Sequence, residues 1–302
     1  MRSRGLRPRD GQARLRLGCW TASLVLGWRT PSLSRGRNRS LRSRQNLGGS
    51  AQARLQGRTS SAATRPAERL PAREASPGAA EDRESELESE RVFLRATELD
   101  GIVRPGLLWV SGVTVGEREP RLDPLLAEAE MNVRANPPEE SVAVRRMYKR
   151  VGIDPTKTRP SNEALLRRVR KGQPLPRVNA LVDVINWCSV EFQLPYGLYD
   201  RQHISGAITM RLGREGEEYA GIRKDTVHVC GRITLVDDVG PFGNPTSDSV
   251  RTMVTTATSD ALVVVYAPFD IDPARILRVL DATALRIADI AGGRETQRVL
   301  CA

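Results

Sequence analysis

The spacing of apolar residues divides the chain, from about Val92 onward, into helical and extended segments. Apolar positions at helical spacing predict helices at residues 122–133, 139–152, 159–172, 178–192 and 272–293. Runs rich in β-branched residues predict strands at residues 107–115, 206–212, 225–231, 232–238 and 261–268. Most helices precede the main block of strands and one follows it. This order predicts an α+β fold with a mixed β-sheet flanked by helices, rather than a regular βαβ array.

Several of these helices carry start and stop signals. We expect Ser161 to be the N-cap of the third helix, with Glu163 in its first turn and Gly172 at its end. The last helix begins with Asp272 and Pro273 and ends at Gly292–Gly293.

The helix at residues 178–192 has two distinct faces. Its apolar stripe, which should face the core, consists of Val178, Leu181, Val182, Ile185, Cys188 and Phe192. Asn179, Asp183 and Asn186 follow one another along a separate face. Because Asn and Asp are poor helix formers, their alignment indicates a polar face that meets a specific partner. The alternative is an ordinary solvated face.

The stretch GPFGNPTSDS, residues 240–249, contains two Gly, two Pro and several small polar residues, and we expect it to be neither helix nor strand. Its backbone N–H groups and the hydroxyls of Thr246, Ser247 and Ser249 would then point into a concavity at a sheet edge. A simple connection between strands is the alternative. The stretch LPYGLYD, residues 194–200, is interpreted as a turn with two aromatic residues.

The charge is distributed unevenly. Residues 1–80 carry 17 Arg, no Lys and three acids, whereas the remaining 222 residues carry 30 basic and 33 acidic side chains. We expect residues 1–85 to be a disordered Arg-rich tail and residues 90–293 to form the domain. The tail has three interpretations: an organelle transit segment, a nucleic-acid-binding arm, or sequence translated from an upstream start codon.

Other features exclude some functional classes. The apolar run CWTASLVLGW is too short to cross a bilayer. The four Cys are scattered and the two His are isolated, so neither a disulfide framework nor a zinc site is indicated. A reducing, cytoplasmic location fits this cysteine usage.

One segment inside the domain is strongly basic. Residues 141–180 contain eleven basic side chains and only two acids, Asp154 and Glu163. A one-sided patch of this kind suits a phosphate backbone, and Arg adds bidentate contacts. A basic helix face without a ligand is the alternative.

Three long motifs carry a family resemblance. RPSNEALLRRVRKGQPLPRVNALVDVINWCSVEFQLPYGLYD, ITMRLGREGEEYAGI and GPFGNPTSDSVRTMVTTATSDALVVVYAP resemble free-standing relatives of the B3/4 domain of the phenylalanyl-tRNA synthetase beta subunit. The resemblance implies a mixed sheet flanked by helices, tRNA binding, and editing by hydrolysis of a wrongly attached aminoacyl ester. It also implies a pocket formed by residues 178–187, 194–200 and 240–249.

The resemblance extends to single residues. Asn186 matches the family's asparagine, Pro195 its pocket proline, and Asp248 is the candidate acid. Gly197 stands where the synthetase has a histidine, and Ile185 where it has a threonine.

The resulting hypothesis is a stand-alone domain that binds the acceptor end of tRNA and hydrolyses mischarged or non-standard aminoacyl-tRNA, without metal or nucleotide cofactor. The candidate catalytic residues are Asn186, Asp248, Thr246 and Ser247. The candidate substrate-binding residues are Asn179, Asp183, Pro195, Tyr196, Gly197, Tyr199, Gly243, Asn244 and Ser249. The candidate tRNA contacts are Arg145, Arg146, Lys149, Arg159, Arg167, Arg168, Lys171 and Arg177. The alternatives are a non-catalytic RNA-binding module and a small-molecule pocket protein.

Overall fold

The computed structural model describes the backbone of Cys19–Trp20 and residues 92–136, 142–222 and 226–302. Within these residues the fold is α+β, as the order of elements predicts. The tail predicted for residues 1–85 lies outside the described residues, apart from a two-residue strand at Cys19–Trp20.

The described residues form five α-helices and twelve strands. The helices are α1 (Leu122–Ala135), α2 (Val142–Arg150), α3 (Ser161–Arg170), α4 (Ala180–Phe192) and α5 (Pro273–Ala291). The strands are β1 (Cys19–Trp20), β2 (Phe93–Arg95), β3 (Val103–Ser111), β4 (Tyr196–Asp200), β5 (Ile208–Leu212), β6 (Glu218–Ala220), β7 (Thr226–His228), β8 (Ile233–Val236), β9 (Pro241–Asn244), β10 (Ser247–Asp248), β11 (Asp260–Pro268) and β12 (Arg294–Cys301). The five predicted helices and the five predicted strands are therefore present, with shifted ends.

Most of the strands form two five-stranded sheets. Sheet A has the order β1-β12-β3-β11-β4, and all its neighbours are antiparallel. Sheet B has the order β10-β9-β8-β5-β2 and is mixed, because β2 runs parallel to β5. Strand β12 begins one residue after the predicted domain end at 293 and pairs with β3.

The two faces of sheet A have different neighbours. On one face the Tyr196 hydroxyl lies 3.0 Å from the Thr283 hydroxyl of α5. Gly106 of β3 also faces α5, where a Cβ would lie 3.0 Å from Ile276 and Leu280. Because side chains alternate along a strand, Tyr199 points to the opposite face, where its ring contacts Phe242 of sheet B at 5.0 Å between centroids. Helix α5 therefore packs on one face of sheet A with α4 beside it, and strand β9 of sheet B packs on the other face.

Some local predictions are wrong. Ser161 is the first residue of α3 rather than its N-cap, which is Pro160, and its buried hydroxyl has no hydrogen-bond partner among the described residues. Val178 precedes α4 and is 42% exposed, so it does not belong to the buried stripe. The predicted ends of α5 are confirmed: the Asp272 side chain accepts from the Ala274 N–H at 3.1 Å, and Gly292 is left-handed at φ 72°.

Candidate functional site

The Gly- and Pro-rich stretch at residues 240–249 is a β-hairpin, so the prediction that it forms no strand is wrong. Strands β9 and β10 pair antiparallel, with Asn244 opposite Ser247 and Gly243 opposite Asp248. The Asn244 side-chain oxygen accepts from the N–H groups of Thr246 and Ser247 at 2.8 and 3.0 Å. This side chain completes the turn that the two strands require. It also occupies the two N–H groups that an open loop would offer to a ligand.

The polar side chains of the hairpin have partners within the domain. The Thr246 hydroxyl lies 2.8 Å from the Tyr148 hydroxyl of α2. The buried Ser249 hydroxyl accepts from the Arg251 N–H at 3.0 Å, and the Asn244 amide donates to the Tyr219 hydroxyl at 2.7 Å. The candidate residues Asn244, Thr246 and Ser249 therefore hold the hairpin in place.

A small cavity lies beside this turn. It has a volume of about 10 Å³ and is lined in part by Tyr148, Arg232 and Thr246. This volume is close to the minimum that holds one water molecule. The cavity is too small for an aminoacyl group.

Two glycines enclose the Tyr199 ring. A Cβ on Gly197 would lie 2.2 Å from the Tyr199 Oη and 2.6 Å from its Cζ, and a Cβ on Gly243 would lie at the same two distances. The ring is 0% exposed. Gly197 and Gly243 therefore both contact Tyr199, which fills the space between them.

The Tyr199 hydroxyl belongs to a buried hydrogen-bond chain. It donates to the Asp248 Oδ1 at 2.7 Å and lies 2.7 Å from the Tyr266 hydroxyl of β11. Burial, and next the nearby Asp248 charge, raise the pKa of Tyr199 well above its usual value. Burial likewise raises the pKa of Tyr266. Both phenols are neutral at physiological pH, so Tyr266 donates to Tyr199 and Tyr199 donates to the half-buried Asp248 carboxylate.

Most of the side chains on the polar face of α4 bond to other groups of the protein. Asn179 is the N-cap: its side-chain oxygen accepts from the Val182 N–H at 2.9 Å. The Asp183 side chain is 1% exposed, accepts from the Val178 N–H at 2.8 Å and forms an ion pair with Arg177 at 2.7 Å. Asn186 is half-buried, and its side chain makes no hydrogen bond with any described residue. Among these three, Asn186 alone offers its amide to a ligand.

The amide-bearing helix and the hairpin do not face one shared hollow as the resemblance implied. Helix α4 packs beside α5 on the Tyr196 face of sheet A, whereas the hairpin packs on the Tyr199 face. Pro195 immediately precedes β4, and its carbonyl accepts from the Tyr266 N–H at 3.0 Å. The segment at residues 194–200 is thus mostly strand and not a turn, and it separates the two predicted halves of the pocket.

A basic cleft lies between α2 and α3. Its volume is about 310 Å³, and its lining residues are Arg145, Arg159, Glu163, Leu166, Arg167, Arg170 and Lys171. The Arg145 guanidinium forms a bidentate ion pair with the buried Glu163 carboxylate at 2.9 and 2.8 Å. Within the described part of the chain, Arg159, Arg167 and Lys171 have no acidic partner. The cleft therefore has a strong net positive charge.

The other candidate tRNA contacts lie outside this lining. Arg146 pairs with Asp270 at 2.7 Å, and Arg168 donates to the Pro174 carbonyl. Lys149 is exposed on α2. Arg177 forms hydrogen bonds with Asp183 and Asp123. Its hydrogen bond to Asp123 lowers the pKa of the Asp123 carboxyl.

A comparison with family models identifies the domain. The model described as B3/4 domain matches residues 143–296, just over half of the chain and every element from α2 through α5. The chain belongs to the B3/4 domain family.

This B3/4 domain is similar to parts of larger proteins. It is 26% identical over 148 residues to a phenylalanine--tRNA ligase beta subunit from Paramagnetospirillum magneticum, covering 41% of this chain and 18% of that protein. It is 34% identical over 61 residues to the beta subunit from Ralstonia nicotianae, covering 20% of this chain and 8% of that protein. The matched stretches span less than a fifth of these curated relatives.

A solved structure is also similar. It is an N-terminal fragment of the phenylalanyl-tRNA synthetase beta subunit from Pyrococcus horikoshii, 14% identical, with a TM-score of 0.37. The match covers 68% of this chain and 49% of that chain.

Three residues of the B3/4 domain's candidate site are absent from the candidate lists, although Arg170 is one of the eleven basic side chains of residues 141–180. Arg170 lines the cleft, and its spacing of three residues from Arg167 on one helix was an available signal. Tyr266 and Tyr148 bond to the candidate residues Tyr199 and Thr246. Each of these contacts joins distant parts of the chain, so no local pattern reveals them.

No helix in the described part of the B3/4 domain is long and apolar enough to cross a bilayer.

Proposed function

We propose that this B3/4 domain binds tRNA near the acceptor end, through the basic cleft between α2 and α3. The observation that carries the proposal is the cleft itself: among the described residues that line it are four Arg and one Lys, and the one acid is already paired. Such a concentration of guanidinium groups suits phosphate oxygens. The related ligase subunits, whose names refer to tRNA, support RNA as the anion.

Arg167→Ala should weaken tRNA binding and lower the salt dependence. Each phosphate contact releases about one counterion, so the slope of log affinity against log salt should fall by about one. Fluorescence anisotropy with labelled tRNA at several salt concentrations measures this slope. Arg278→Ala is the matched control, because Arg278 is exposed on α5 and does not line the cleft. An unchanged slope in Arg167→Ala would rule out a phosphate contact there.

We further propose ester hydrolysis as a second candidate activity. Its support is the Asp248 carboxylate, half-buried and held by the Tyr199 hydroxyl at 2.7 Å. A carboxylate in this position can accept a proton from a water molecule that attacks the aminoacyl ester carbon. The carbon–oxygen bond to the ribose then breaks, and the ribose oxygen takes the proton back from the carboxyl group. An aminoacyl ester is already activated, so positioning of the water supplies much of the required acceleration.

The other groups proposed for ester hydrolysis differ in whether they are free to contact a substrate. The Asn186 amide makes no hydrogen bond with any described residue, but Asn186 lies on the helix that packs against the opposite face of sheet A. The backbone N–H groups of Thr246 and Ser247 are bound to Asn244. A domain that binds tRNA without hydrolysing it is favoured by these two observations. Binding is therefore the primary proposal.

Asp248→Asn separates the two possibilities. If Asp248 is the base, the deacylation rate on a panel of mischarged tRNAs should fall by at least about 100-fold, because an amide cannot accept the proton. The amide oxygen still accepts from Tyr199, so the fold and the tRNA affinity should be retained. Glu215→Gln is the matched control, since Glu215 is exposed and has no ion pair among the described residues. Absence of turnover by the unmodified protein on every pair, with binding intact, would reject hydrolysis.

A further inference from the structure

Three cations of the basic cleft, Arg159, Arg167 and Lys171, have no acidic partner among the described residues. Among the described residues that line it, the one acid is Glu163, which is 4% exposed and already forms two hydrogen bonds with Arg145. Arg159 is half-buried, and among the described residues it has neither an acidic partner nor a side-chain hydrogen bond. A partly buried cation without an acceptor is unfavourable, so this arrangement favours an anion from outside.

The shape of the cleft limits the size of that anion. Its volume of about 310 Å³ lies at the lower end of the range for small-molecule sites, about 300–1,000 Å³. The cations come from α2, from the segment before α3, from α3 itself and from Lys171 after it. They surround a hollow instead of forming a line along one helix. A hollow of this size fits a single nucleotide-sized group and not a continuous phosphate track.

We infer that the cleft recognises a terminal phosphate monoester, the 5′-phosphate at the acceptor end, in preference to internal phosphodiesters. This inference rests on the proposed tRNA binding. A phosphate monoester carries a charge of about −1.5 to −2 at neutral pH, whereas each internal diester carries a single charge. Its three terminal oxygens can accept from several cations at once. Arg159, Arg167 and Lys171 supply that set of donors.

The direct test compares two forms of one tRNA on the full chain. Labelled tRNA with its 5′-phosphate should bind at least about tenfold more tightly than the same tRNA after phosphatase treatment, since charge-assisted hydrogen bonds are lost. Equal affinities would overturn the inference and leave tRNA binding standing. No binding of either form would overturn both the inference and the proposed function.

A variant shows whether the cleft is responsible. Arg159→Gln should bind the two tRNA forms with nearly equal affinity, while Arg278→Gln on α5 should keep the full difference. An undiminished preference in Arg159→Gln would overturn the inference. Lys171→Gln is the second variant if Arg159→Gln does not fold, and the comparison of the two tRNA forms needs no variant.

Competition distinguishes an RNA end from a free nucleotide. A nucleoside 5′-monophosphate should displace the labelled tRNA only at concentrations far above those of unlabelled 5′-phosphorylated tRNA, because the RNA makes further contacts. Displacement at equal concentrations would show that the cleft takes a free nucleotide and would overturn the assignment to the RNA end.

Discussion

Gly197→Ala should destabilise the domain by about 3 kcal/mol, which corresponds to a fall of roughly 6 to 12 °C in melting temperature. The added methyl group would lie 2.2 Å from the Tyr199 Oη and 2.6 Å from its Cζ. The ring has no room to move away, because Gly243 lies against its other edge, where a Cβ would be just as close to the Tyr199 Oη. The usual gain from replacing Gly by Ala, about 0.4 to 1 kcal/mol, is smaller than this clash. Urea and thermal unfolding measure the effect.

Two further variants test the cause of this loss. Gly116→Ala is the matched control: among the described residues, a Cβ there meets only the Arg118 carbonyl oxygen at 3.7 Å, so we expect a change in stability near zero. In a Tyr199→Leu background, where the side chain is shorter, the loss of stability caused by Gly197→Ala should be smaller by at least about 1.5 kcal/mol. An equal cost in both backgrounds would show that Tyr199 is not the obstacle.

The contact between Gly197 and the Tyr199 ring gives a physical reason why position 197 is a glycine. The resemblance places a histidine at the position of Gly197, but no side chain fits there while Tyr199 lies against its Cα. A histidine would require the ring to leave, and with it the hydrogen bond to Asp248 at 2.7 Å. The glycine and the tyrosine are thus one structural unit.

How far the fold was predictable depended on whether a signal was local. The α+β class, the five helices and the Gly292 end of α5 follow from periodicity and capping residues, which act within a few positions. The hairpin was missed because its strands, Pro241–Asn244 and Ser247–Asp248, are short and lack alternation. The Asn-Pro pair at its turn was a usable turn signal.

The candidate site was less predictable than the fold. The basic segment supplies the cations that line the cleft, because α2 and α3 lie side by side, but its binding of phosphate stays a prediction. The interpretation of Asn179 as a ligand-binding residue overlooked that an Asn before an apolar helix commonly acts as its N-cap. The enclosure of Tyr199 depends on the packing of β4 against β9, which no single stretch of sequence encodes.

Arg177→Ala should cost about 3 kcal/mol of stability, although its residue type and its segment first indicated an RNA contact. Arg177 donates to Asp183 at 2.7 Å and to Asp123, and so joins the start of α4 to α1. The Asp183 side chain is 1% exposed. In Arg177→Ala the buried Asp183 carboxylate loses its ion pair and keeps the hydrogen bond from the Val178 N–H at 2.8 Å. Urea unfolding should show a lower midpoint with an unchanged m-value.

A second substitution should separate the lost charge from the lost packing. In Arg177→Ala with Asp183→Asn, the buried charge is removed together with its partner, so part of the stability should return. Arg168→Ala is the matched control: Arg168 is exposed, bonds one carbonyl, and should change stability by no more than about 0.5 kcal/mol.

Measurements of tRNA affinity then show whether Arg177 stabilises the fold or contacts a phosphate of the tRNA. If its role is to hold Asp183 and Asp123, Arg177→Ala should leave the salt dependence of tRNA affinity unchanged below its melting temperature, whereas Arg167→Ala lowers it. A reduced salt slope in Arg177→Ala, without loss of stability, would instead make this arginine a phosphate contact. Since its guanidinium already bonds two carboxylates in the folded domain, a phosphate would have to displace one of them, and that displacement would offset the gain.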